Sequence, residues 1–256
     1  MICSANTDIG MKRDVNQDAY YVKALSDKTA LCVVCDGMGG AKGGAEASKI
    51  ACETFSKNVE AFITPYIGRK DKTLRIGEIR AKLIESVDLA NDAVYSYAKE
   101  HSSLRGKGTT LVAALIIEHQ VFSINVGDSR MYVMKGSKIK QITKDHSYVQ
   151  YLIDIGKLTE KEAESFPNKN VITRAVGTED CVRPECFRDS VSDGSFILLC
   201  SDGLTNFVDN DTIRETVVKN SKNISEPELN IKVKKLIDLA NKNGGADNIT
   251  AVLVKI

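Results

Sequence analysis

The sequence has no run of about 18 or more apolar residues, which excludes an ordinary membrane-spanning helix. It has no excess of either charge. Its 35 Lys and Arg against 34 Asp and Glu leave a formal charge of +1, unlike the strong basic balance of a nucleic-acid-binding surface. The most basic stretch, residues 68–82, is broken by Asp71 and Glu78 and reads as a solvated loop and helix start. The N-terminal segment is too polar for a secretory leader. There is no long internal repeat and no low-complexity segment.

Histidine is scarce. His101, His119 and His146 stand alone, without the spacing of metal ligands. The seven cysteines are odd in number and scattered, which suits free thiols in a reducing cytoplasm. Cys32 and Cys35 form a C-x-x-C, but it lies inside the apolar run ALCVVC, which reads as a buried strand. No second C-x-x-C or H-x-H accompanies it. Small apolar residues in a sheet are the simpler reading, and redox or zinc chemistry is set aside.

Short runs rich in Val, Ile and Leu do recur, at 19–24, 30–35, 110–117, 121–126, 131–135, 195–200 and 250–256. Bounded by Gly, Asp or Ser, they read as strands. Helical spacing marks 44–63 and 78–100, with two further helices at 209–220 and 226–243. Between strand-like regions, residues 147–170 suggest a short helix ending at Gly156. A second follows from Thr159, whose capping-box partner is Glu162, and closes at Pro167. The strands cluster rather than alternating with helices, so the expected class is α+β.

Three apolar runs end alike, at Asp36-Gly37, Asp128-Ser129 and Asp202-Gly203, while Asp18 and Asp247 stand at the starts of two others. One Asp-Gly at a strand end is usually a turn. Five boundary aspartates invite another reading, because a sheet can carry strand ends from distant positions to one edge. Converging carboxylates cannot all stay ionised without compensation. An all-oxygen donor set favours Mg²⁺ or Mn²⁺ over zinc. The glycine-rich stretch 37–44 fits neither G-x-G-x-x-G nor G-K-[ST], so it is not a phosphate cradle.

RDVNQD (13–18), VVCDGMGG (33–40), GTT (108–110), NVGDSR (125–130), TKDHS (143–147), NVITRAVG (170–177), LLCSDGLTN (198–206) and GGADNIT (244–250) occur in this order. The series resembles the metal-dependent Ser/Thr protein phosphatases of the PP2C/PPM family, in a compact bacterial form, along almost the whole chain. The resemblance implies one domain over 1–256, a sandwich of two antiparallel β-sheets flanked by helices, and a two-metal site at one end. It implies that Asp36 bridges both ions and that the Gly37 carbonyl completes one shell. Asp202 and Asp247 match ligands of the first ion, and Asp18 an aspartate acting near the second through water. Asp128, with Asp202, matches a third site, and Arg13 the arginine that grips the substrate phosphate. Phosphoproteins are the implied partners, among them a cognate Hanks-type Ser/Thr kinase. The 147–170 segment reads as a flap or as a helical decoration, periodicity not deciding between them, and a cytoplasmic monomer is the default.

Two cations roughly 3.5–4 Å apart can lower the pKa of a shared water enough to give hydroxide near neutral pH. Direct in-line attack on phosphoserine or phosphothreonine then needs no phosphoenzyme. No cysteine here is followed six positions later by arginine, as a cysteine-dependent phosphatase requires. Where many relatives carry a histidine as a proposed general acid, this chain has Met38 and Ala41. Water on a third ion near Asp128 is the expected proton source; His146 is a second candidate, but a structural hydrogen-bonding role is the expected one for it. Two other classes remain, a non-catalytic phosphoprotein-binding module and a hydrolase of small phosphate esters. Retention of every ligand aspartate favours the protein phosphatase.

Overall fold

The apolar runs are uninterrupted because their strands are covered on both faces. In β3 (Thr29–Met38) successive side chains alternate in direction. Ala30, Cys32 and Val34 join a buried cluster with Val112, Ile197 and Val252. Leu31, Val33 and Cys35 join another with Phe55, Val59, Leu83 and Val87. The two cysteines of the C-x-x-C therefore point to opposite faces of one strand, buried and free, which closes the zinc and dithiol readings.

The computed structural model describes residues 1–39, 41–69, 74–101, 106–164, 166–167, 170–221 and 223–256. Every named strand pairing in it is antiparallel. One sheet runs β1 (Ile2–Asp8), β11 (Ile249–Lys255), β10 (Phe196–Cys200), β7 (Arg130–Lys135), β8 (Lys138–Gln141). The other runs β2 (Asp18–Ser26), β3, β5 (Leu111–Ile117), β6 (Gln120–Val126), β9 (Glu185–Ser190), with β4 (Gly108–Thr109) on the end of β3. Helices α1 (Ala41–Ile63) and α2 (Ile76–Glu100) cover the outer face of the second sheet. Helices α6 (Asn210–Val218) and α7 (Glu226–Lys242) cover Tyr132, Leu198 and Leu253 on the first. The result is a four-layer α-β-β-α sandwich of the α+β class, as expected.

Three longer strands went unpredicted, and all lie at sheet edges: β1 and β8 in one sheet, β9 in the other. Edge strands are partly solvated, so ICSANTD, KIKQ and ECFRDS show no apolar run. The one-turn helix α5 (Asp202–Thr205) and the two-residue β4 were also missed. In the 147–170 segment, α3 (Tyr148–Asp154) and α4 (Glu160–Glu164) form as expected, and Gly156 adopts φ +70° just beyond α3. The Thr159 capping box is present, with Thr159 N–H donating to Glu162 Oε2 at 2.9 Å and Glu162 N–H to Thr159 Oγ1 at 3.3 Å. Residues 165, 168 and 169 of this segment lie outside the described residues.

Candidate active site

Antiparallel pairing sets the N-terminal end of one strand beside the C-terminal end of the next. Asp18 opens β2 directly across from Asp36 near the end of β3, the two being register partners. Asp128 follows β6, Asp202 follows β10, and Asp247 precedes β11, so all five aspartates gather at one end of the sandwich. Asp36, Asp128, Asp202 and Asp247 line a cavity of about 450 Å³ together with Arg13, Gly37 and Met38. Asp18 does not line it.

Backbone hydrogen bonds fix Asp36. Its N–H donates to Thr110 Oγ1 at 2.9 Å, and its carbonyl accepts from Thr110 N–H at 2.8 Å and Thr109 Oγ1 at 2.9 Å. Two hydroxyls, Ser201 Oγ at 2.8 Å and Thr250 Oγ1 at 2.6 Å, donate to Asp18 Oδ2. Arg13 Nη2 donates to Asp247 Oδ2 at 2.8 Å from a half-exposed position.

The glycines after Asp36 and Asp202 answer to close approach rather than to a turn. A Cβ on Gly37 would stand 2.1 Å from the Gly44 carbonyl oxygen, and one on Gly203 would stand 2.0 Å from that of Asn248. No side chain fits at either position.

Burial is the largest influence on these carboxyls. It raises Asp18 to about 7 against the two hydroxyl bonds, with Asp202 and Asp247 adding repulsion. Burial raises Asp128 to about 8, helped by Asp202 and Asp145. Asp36 is pushed well up by burial and then by Asp18, Asp202, Asp128 and Asp247; Asp202 is raised by burial and then by Asp247.

Among the described residues no three acidic, histidine or cysteine side chains form a ready-made ligand shell. The fit to a cation therefore rests on donor chemistry. Carboxylate oxygens Asp18 Oδ1 and Asp202 Oδ1 are buried without a hydrogen-bond partner. Such orphaned oxygens, in a cluster of like charge, fit a hard divalent cation.

Two residues outside the proposed ligand set hold the site together. Asn248, buried beside Asp247, accepts from Gln17 N–H at 2.8 Å through Oδ1. Its Nδ2 donates to the carbonyls of Ile9 at 2.9 Å and Val15 at 3.1 Å. It thereby ties the segment carrying Arg13 to the turn that carries Asp247 into β11. Asn248→Ala should destabilise the protein by about 1–3 kcal/mol by leaving these groups unpaired, measured as a lowered urea midpoint. His146, the second proton-donor candidate, is the other. It is buried, does not line the cavity, and accepts from Gly127 N–H at 3.1 Å through Nδ1. Its role is to brace the turn that carries Asp128. Burial, then the Arg174 charge, lowers its pKa and favours the neutral ring. The only sequence signal for Asn248 was its place next to a candidate ligand.

The protein phosphatase 2C profile matches residues 11–238. A serine/threonine phosphatase, stp, of Listeria monocytogenes is 36% identical over 252 residues, covering 97% of this chain and 93% of that one. The crystal structure of Stp1, a serine/threonine phosphatase from Staphylococcus aureus, superposes with a TM-score of 0.85 at 34% identity, covering 100% and 95% of the two chains. The catalytic domain of PstP, a serine/threonine protein phosphatase crystallised with two manganese ions, gives 0.79 at 32%, covering 99% and 96%.

Proposed function

The chain belongs to the protein phosphatase 2C family, and from that premise we propose how its aspartates and Arg13 act. It is a metal-dependent protein serine/threonine phosphatase. Mn²⁺ or Mg²⁺ is the proposed cofactor, with two ions in the core site. Asp36, the Gly37 carbonyl, Asp202 and Asp247 would hold them, with Asp18 supporting the second, and Asp128 with Asp202 would take a third. The manganese pair in the PstP structure supports this assignment.

When bound, the ions supply an activated water and offset charge on the phosphoryl oxygens. Arg13 presents a planar fork of donors that matches a phosphate. One of its nitrogens engages Asp247, and its remaining donors are available to a substrate. Asp36 comes from a strand buried on both faces and clamped by Thr109 and Thr110, so its carboxylate is preorganised. Among the described residues no histidine or cysteine lines the cavity, which supports direct hydrolysis without a covalent phosphoenzyme. Met38 carries no proton to give, so the leaving-group proton would come from water beside Asp128.

The single observation that carries this reading is the pair of orphaned buried oxygens on Asp18 and Asp202 within a five-aspartate cluster. Phosphate release from phosphothreonine peptides should stop in EDTA and return with added Mn²⁺. Release that persists in EDTA would overturn the reading. Phosphorylated proteins, including a cognate Ser/Thr kinase, are the proposed substrates. We read residues 1–256 as one phosphatase domain with a flap-like insert at about 147–170, acting as a cytoplasmic monomer. No helix among the described residues is long and apolar enough to cross a membrane.

A further inference from the structure

A buried serine on α1, Ser48, makes a contact that its helix does not require. A serine inside a helix can bond back to a carbonyl three or four residues earlier. Ser56, further along α1 and also buried, does so, donating to the Glu53 carbonyl at 3.3 Å. Ser48 reaches out of its helix instead. Its Oγ lies 2.6 Å from the Gln17 carbonyl, against 3.1 Å from that of Ala45 in α1. No part of Ser48 is exposed.

The Gln17 carbonyl is a junction. It also accepts from Gly37 N–H at 3.1 Å, and it shares a planar peptide unit with the N–H of Asp18. Gly37 N–H in turn shares a unit with the Asp36 carbonyl, which Thr109 and Thr110 hold. One carbonyl thus ties together the backbone from which Asp18, Asp36 and Gly37 project. A side chain on Gly44 would begin 2.9 Å from the Gly37 carbonyl oxygen, so this part of α1 lies against that oxygen as well. The helix is itself firmly seated, with Ala47, Ala51, Cys52 and Phe55 sunk in the core. Ser48 fastens the ligand-bearing backbone to that support.

We propose that Ser48 is a positioning residue for metal binding, its hydroxyl holding the peptide units of Asp18 and Gly37 in the arrangement the ions meet. The inference rests on the metal-dependent phosphatase reading above. A preformed shell does not have to be assembled on binding, so its contacts are retained as affinity. Without the hydroxyl the Gln17 carbonyl still accepts from Gly37, so no buried group is orphaned. The loss should fall on the ions rather than on the fold.

The test uses the whole chain, stripped of metal and titrated calorimetrically with Mn²⁺ alone. Partners that orient metal ligands are worth roughly ten- to a hundredfold in affinity, so Ser48→Ala should raise the Mn²⁺ Kd at least about tenfold. Ser56→Ala, which removes a bond internal to the same helix, should keep the wild-type Kd. The urea midpoints of these two variants in EDTA should be alike. Ser48→Cys fills the space with a weak donor and should also weaken Mn²⁺ binding, without opening a cavity. At saturating Mn²⁺ the phosphopeptide kcat of Ser48→Ala should return towards wild type, while the Mn²⁺ needed for half-maximal rate rises with the Kd. A wild-type Kd in both Ser48 variants, or an equal loss in Ser56→Ala, would overturn the assignment. A wild type that binds no Mn²⁺ would overturn the metal reading as well, a distinct result.

Discussion

Asp36→Asn should lower phosphothreonine-peptide hydrolysis by about three orders of magnitude, while making the metal-free protein more stable. The first effect follows from position. Asp36 faces both the aspartate paired with it across the sheet, Asp18, and those delivered by β6, β10 and β11. Losing its negative oxygen would remove a donor on which the proposed ions would depend. Metal-ion catalysis is worth several kcal/mol, and each 1.36 kcal/mol is tenfold in rate. The second effect has the opposite sign. In EDTA the same group must hold a proton that the unfolded chain gives up at neutral pH, and an amide of equal shape avoids that cost, at least about 1 kcal/mol. Urea denaturation in EDTA and in Mn²⁺ should show a raised midpoint in the first and little metal-induced gain in the second. Activity within tenfold of wild type, or a lowered midpoint in EDTA, would count against the assignment.

In EDTA the wild-type protein should lose several kcal/mol of stability as pH rises from about 4 to 8. Most carboxylates act the other way, because native contacts lower their pKa and acid unfolds the protein. Here the folded state holds the proton more tightly. The stability contributed by a protonated Asp18 or Asp128 is complete below the unfolded value near 3.9. It is lost as pH climbs through about 7 and about 8 respectively. Asp36 and Asp202, shifted in the same direction, add to the fall. Mn²⁺ at a hundred times its Kd should restore about 2.7 kcal/mol by binding the ionised native form. Thermal melts across the pH range test this, with the Asp18→Asn/Asp128→Asn double variant flattening the curve. A wild-type curve that is flat or rises over this range would refute the expectation.

The strands buried on both faces were legible because burial writes itself as an apolar run, as in ALCVVC and FILLC. The edge strand ECFRDS writes nothing comparable, since its exposed face tolerates charge. The aspartates were legible through type and place, as acids where apolar runs begin or stop. Their convergence was a resemblance until the pairing of Asp18 with Asp36 gave it a geometric cause. Asn248 was opaque for a different reason. It acts through hydrogen bonds to backbone groups far away in sequence, and a backbone group carries no letter of its own. Gly37 and Gly203 were visible as glycines, but the reason for them is a carbonyl on another segment.

Strand β1 makes all its ladder contacts with β11, so Ile2–Asp8 pair only with Ile249–Lys255. Those partners lie more than two hundred residues apart, so the pair closes a long loop whose entropy must be met before its contacts form. Asp247 arrives with the same late segment. The catalytic end of the sandwich is therefore a long-range product of folding: until β11 has paired with β1 and β10, Asp247 is not in place.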